Sequence, residues 1–169
     1  SITTFTPTAS ARSLGGMESL LAAIGSSDIA AFIRGSRWVY PLINATHILG
    51  VSLALGTVIA LDARIFGIGR SVPLSTVARF LIPFTVTGIL LAVAAGLLLF
   101  SVKPHDYAGN PVFQLKMALL VLALANATLL RRRSLHRAEA DRVLVIGGAA
   151  SLVLWTGVLF CGRLIAFVG

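Results

Sequence analysis

Charge is scarce in this chain, and negative charge is scarcest. Only 12% of its 169 residues are charged and six are Asp or Glu, where a soluble domain carries roughly 25% charged residues. Cysteine occurs once, as Cys161, which excludes an internal disulfide and any multi-cysteine zinc pattern. No Ser/His/Asp, Cys/His or paired-carboxylate arrangement stands out, so an enzyme acting alone is not expected. The length leaves no room for a separate soluble domain beside what the apolar residues demand. The net charge of +8 would suggest nucleic acid in a soluble protein. Here the basic residues gather at the ends of apolar runs, where they face lipid headgroups, and no nucleic-acid partner is expected.

What the chain has instead is four long stretches almost free of charge. Trp38 to Leu61 holds no Asp, Glu, Lys or Arg and only one histidine, His47, and Phe80 to Val102 holds none of these. Val112 to Leu130 is broken only by Lys116, and Val143 to Gly162 stops at Arg163 and resumes through Phe167. A helix rises ~1.5 Å per residue, so about 20 apolar residues cross the ~30 Å hydrocarbon core of a bilayer. The expected fold is all-α: a four-transmembrane-helix bundle over 37–169, with spans about 38–61, 80–102, 112–130 and 143–167. Ahead of it, 17–36 reads as interfacial amphipathic helices and 1–16 as an N-terminal tail. Leu20, Leu21 and Ile24 recur at helical spacing, as do Ile29, Phe32 and Ile33, and Gly25-Ser26-Ser27-Asp28 supplies a break and an N-cap. Trp38 and Tyr40 suit the headgroup level. No compact basic start followed by a continuous apolar core precedes the first span, which is therefore expected to direct its own insertion.

The connections between spans one and two and between three and four carry eight arginines: Arg64, Arg70, Arg79, Arg131, Arg132, Arg133, Arg137 and Arg142. Six basic residues, spread over longer sequence, serve the other side. The positive-inside rule then places both termini on the periplasmic side of a bacterial inner membrane.

Small residues mark where helices meet: Gly88, Ala92 and Gly96 on span two, and Gly147, Ser151 and Gly157 on span four. Pro41 and Pro83 read as first-turn prolines, whose missing N–H costs little. Polar residues inside the spans bear on function, because each is costly in lipid. Tyr40, Asn44 and His47 share one face of span one, which should face protein. Gln114, Lys116 and Met117 on span three and Cys161 and Arg163 on span four lie in the same half of the bundle, whereas the other half offers mainly Asn126. Two cofactor sets follow from this shared depth. His47, with Asn44 and Tyr40 on its face, His105 or Met117 as a second ligand and Arg163 for propionates, suits a b-type haem. His47, Met117 and Cys161 form a softer set suited to copper. Asp62, after the first span, is expected to cap a helix or pair with Arg64 or Arg70; a proton-relay carboxylate is the lesser alternative, since one carboxylate does not make a proton path.

Tyr40-Pro41, Asn44, His47-Ile48-Leu49-Gly50 and Asp62-Ala63-Arg64-Ile65-Phe66-Gly67 together resemble a family of small bacterial four-span membrane proteins of unknown function. Asn110-Pro111, Phe113, Lys116, Trp155 and Gly162-Arg163 extend the resemblance over roughly Gly35 to Val168. It implies the four-helix architecture and picks out His47, Asp62, Arg64, Lys116 and Arg163, with no activity attached. A distant likeness to the membrane part of copper-resistance permeases carries no ligand residues. The function expected first is a non-catalytic accessory or anchor subunit of a larger membrane assembly. The alternatives are a b-type haem electron-transfer subunit and a copper-handling membrane protein.

Overall fold

The computed structural model describes residues 9–137 and 140–168, with side chains over 15–137 and 140–165. The first eight residues of the expected tail lie outside them. The described residues form seven helices: α1 (Ala9–Gly25), α2 (Asp28–Gly35), α3 (Val39–Ile65), α4 (Leu74–Val102), α5 (Pro104–Gly109), α6 (Pro111–Ser134) and α7 (Arg142–Val168). Four of them, α3, α4, α6 and α7, are long and apolar enough to cross a membrane. The chain is an integral membrane protein built on a four-helix bundle.

These helices outrun the charge-free stretches. α3 continues through Asp62 and Arg64, α4 begins at Leu74 ahead of Arg79, and α6 runs on through Arg131, Arg132 and Arg133. Charge marks where hydrocarbon ends; the i→i−4 hydrogen-bond ladder stops only where the backbone turns. Pro83 is affected most. It lies inside α4, nine residues after Leu74, and not in a first turn. Pro41 does sit in the first turn of α3. Helix starts elsewhere follow local chemistry. Asn110 accepts hydrogen bonds from Val112 N and Phe113 N, with Pro111 behind it, and so starts α6. Ser27 caps α2 through Ala30 N, and Asp141 caps α7 through Leu144 N at 2.9 Å.

The bundle is two antiparallel hairpins, α3/α4 and α6/α7, each packed far more extensively within itself than against the other. Between α3 and α4 the backbones touch. A Cβ on Gly50 would stand 2.6 Å from Ala92 N, and one on Gly88 2.6 Å from Ala54 N. The Gly88-Ala92-Gly96 stripe therefore lies where the sequence places a helix crossing. Gly147 admits the Leu130 side chain and Gly157 that of Leu119, which brings α7 onto α6. Asn126 Nδ2 donates to Gly147 O at 2.9 Å across the same interface. Two apolar layers join the hairpins: Val58, Ala123 and Trp155 at mid-depth, and Ile65, Leu74, Leu130 and Leu144 at the arginine-rich end.

At the opposite end, called here the α5 end, α1 and α2 meet at a 50° bend and pack on α5 and α4. Arg34 fastens them, its guanidinium donating to Gly25 O at 2.8 Å and to Val102 O at 3.0 Å. Ala30 and Ile33 are buried by this contact, while Met17, Leu20, Ile29 and Phe32 stay exposed.

Candidate functional site

The polar residues of the α5-end half converge in part. His47 projects from α3 toward α4, where its Nδ1 lies 2.7 Å from Ala92 O. A carbonyl only accepts, so Nδ1 carries the proton and, in the neutral ring, Nε2 keeps a lone pair. Room for the ring comes from Gly96, whose Cβ would sit 3.2 Å from His47 Cε1. From α6, Lys116 lays its chain over Gly162 of α7, with Nζ 3.5 Å from where a Cβ would stand. Its ammonium lies within electrostatic reach of both His47 and Cys161. An imidazole acceptor, an ammonium and a buried thiol thus come from three helices of the same half.

The other residues of the expected sets stand elsewhere. Asn44 is exposed and its side chain makes no hydrogen bond among the described residues, and Tyr40 is 40% exposed. The Tyr40-Asn44-His47 face therefore turns only partly into protein. The helical sweep of about 100° per residue carries Asn44 roughly 60° away from His47. Tyr40 hydrogen-bonds Tyr107 of α5, whose ring packs tilted against Phe100 and Phe113. Burial, with Tyr40 and Asp106 nearby, pushes the Tyr107 phenol above its ordinary range. His105 is exposed and lines a shallow crevice with Arg34, Lys103 and Asp106. Met117 is 41% exposed and Arg163 is exposed. Among the described residues no three His, Cys, Asp or Glu side chains group to hold a metal.

The arginine-rich half holds what the sequence reading missed. Asp62 is 1% exposed, inside α3, and its side-chain partner is the Ser151 hydroxyl of α7. The expected pairing with Arg64 or Arg70 does not form. Arg64 sits two residues on, about 200° around the helix, and its Nε donates to Val72 O at 2.8 Å. One Asp62 oxygen, Oδ2, has no hydrogen-bond partner among the described residues, and neither has Nε1 of Trp155, one turn from Ser151 on α7. A lone acidic residue at the end of a charge-free run was visible in the sequence. Its partner was not, because serine in a small-residue stripe reads as packing.

Comparison with protein-family models, curated proteins and solved structures finds no match for this chain.

Proposed function

We propose that the protein is a non-catalytic accessory subunit that docks a transmembrane helix of another polypeptide against the exposed side of α3. The observation that supports this most is Asn44. It lies six residues, roughly 9 Å at ~1.5 Å per residue, below Trp38, exposed, its side-chain amide without a hydrogen-bond partner among the described residues. An amide facing lipid gains ~0.6 kcal/mol, and up to 1–2, from an interhelical hydrogen bond. Further along the exposed side of α3, Ser52, Gly56 and Ala60 recur every four residues, and a Cβ on Gly56 would meet nothing within 4 Å. Small residues let a second backbone approach closely, as Gly50 and Gly88 do inside the bundle. In this reading the α5 end faces the periplasm of a bacterial inner membrane, the arginine-rich end the cytoplasm, and α1 and α2 rest their apolar residues in the outer leaflet. The resemblance to four-span proteins of unknown function agrees with the architecture and adds no activity.

Native mass spectrometry of gently solubilised membranes tests this. The wild type should carry a second, different polypeptide, which Asn44→Leu and Gly56→Leu release. A wild type that flies only as a bare monomer refutes the reading.

A second reading, a haem or copper site at His47, is favoured by one contact. Ligand histidines commonly donate their other ring N–H to a backbone carbonyl, as His47 Nδ1 does to Ala92 O. A Soret band, or stoichiometric copper, lost in His47→Ala would support it; a colourless, metal-free protein would end it.

A further inference from the structure

Among the described residues, Asp62 is a buried carboxylate with an unpartnered oxygen. It is 1% exposed, its flank on α7 is Gly148, and among the described residues its side chain has one hydrogen bond, with Ser151. Oδ2 has no partner among the described residues. An isolated carboxylate in a low-dielectric interior is strongly unfavourable unless a positive charge or several donors meet it. Such a group inside a membrane domain marks a path or a site by default.

The surroundings restrict what can meet it. Its own helix offers Arg64, which points away toward Val72 O. Helix α7 brings Gly148 and Ser151. The apolar layer beside it comes from Ile65 of α3, Leu74 of α4, Leu130 of α6 and Leu144 of α7. Among the described residues no second carboxylate stands there, so one positive charge suffices to balance Asp62. Ser151 suits such an occupant, since a hydroxyl donates to the carboxylate and keeps lone pairs for a cation.

We propose that Asp62 and Ser151 form a binding site for one small monovalent cation, a proton or an alkali-metal ion, on the seam between the two hairpins. Asp62 lies three residues before the end of α3, so the occupant enters from the arginine-rich end. The seam is the more thinly packed interface of the bundle. An occupant bound by one residue from each hairpin therefore biases how closely the hairpins sit.

Infrared difference spectroscopy of the full chain in lipid nanodiscs tests the site. One series varies pH; the other varies NaCl or LiCl against choline chloride, and MgCl2, at fixed pH. A carboxylic-acid carbonyl band that titrates with pH and is lost in Asp62→Asn identifies a proton. A carboxylate band that responds to Na+ or Li+ but not choline, and is lost in Asp62→Asn, identifies an alkali-metal ion. Either supports the site, and in both cases Ser151→Ala should shift the band and its midpoint. If Asp62→Asn does not fold, the Ser151→Ala shift decides. Identical wild-type and variant spectra in both series overturn the proposal, as does a response to Mg2+ alone.

Discussion

Gly50→Ala probes how α3 and α4 hold each other. The new Cβ would stand 2.6 Å from Ala92 N, 2.8 Å from Gly88 O and 3.0 Å from Leu91 Cβ. Two of the three are backbone atoms, which no rotamer change can move. Ordinary contact begins at 3.4 Å, so the helices must part by 3.4 minus 2.6, about 0.8 Å. A gap of that size forfeits a quarter to a half of a ~0.1–0.2 kcal/mol attraction per atom pair. If the crossing holds about as many pairs as one buried leucine makes, ~40–60, the loss is on the order of 3 kcal/mol. Alanine returns ~1 kcal/mol of helix propensity. The net destabilisation is then about 2 kcal/mol, within the ~1–3 kcal/mol common for overpacking. The His47 bond to Ala92 O, now 2.7 Å, stretches with it. The assay is SDS-driven unfolding in mixed micelles, followed by far-UV circular dichroism. Gly56→Ala is the control, because its Cβ meets nothing. Gly88→Ala should cost about as much as Gly50→Ala. The double variant should cost less than their sum, since one separation of the helices relieves both clashes. If Gly50→Ala proves as stable as Gly56→Ala, the backbone-contact account of this hairpin is wrong.

Arg34→Ala removes two hydrogen bonds to Gly25 O and Val102 O. Being exposed they are together worth about 1 kcal/mol, so amide exchange across the α1–α2 bend should rise about fivefold while the bundle stays protected. Thr85→Val removes the 2.8 Å hydroxyl bond to Thr57 between α3 and α4 and should cost ~0.6 kcal/mol in the same SDS assay; a cost above ~2 kcal/mol would mean that the pair belongs to a larger network. The Leu144 N–H, then Arg133 and Arg137, hold the Asp141 carboxylate below its ordinary range. Its contribution to the start of α7 is fully present above ~3.9 and is lost as pH falls through the lower folded value. Exchange protection at Leu144 should therefore fail only in acid, and Asp141→Asn, which keeps the cap without the charge, should abolish that pH dependence. For Tyr107, the phenol raised chiefly by burial adds stability that is complete below ~10 and lost as pH rises through the folded value. Alkaline titration followed by tyrosinate absorbance should show one tyrosine ionising late, and Phe113→Ala should bring it forward.

Four charge-poor runs, each long enough to cross a bilayer, were enough to decide that this is a helical membrane protein with four helices able to span it, because the penalty for burying charge in hydrocarbon acts residue by residue. The break at Gly25-Ser26-Ser27 and the crossing at Gly88-Ala92-Gly96 were legible for the same local reason: capping and close approach depend on which side chains are small or polar. Where the helices end was not legible, since hydrogen bonding carries α4 six residues beyond the charge-free run that begins at Phe80. Partnership across helices was not legible either. Only the tertiary structure decided that His47 turns to the Ala92 carbonyl while Asn44, three residues earlier, faces outward. It alone decided that Lys116 lies over Gly162, and that Asp62 is buried against Ser151 and not paired with an arginine. Each of these depends on the rotation of one helix about its axis relative to the next, and that rotation is set by the packing of all four together.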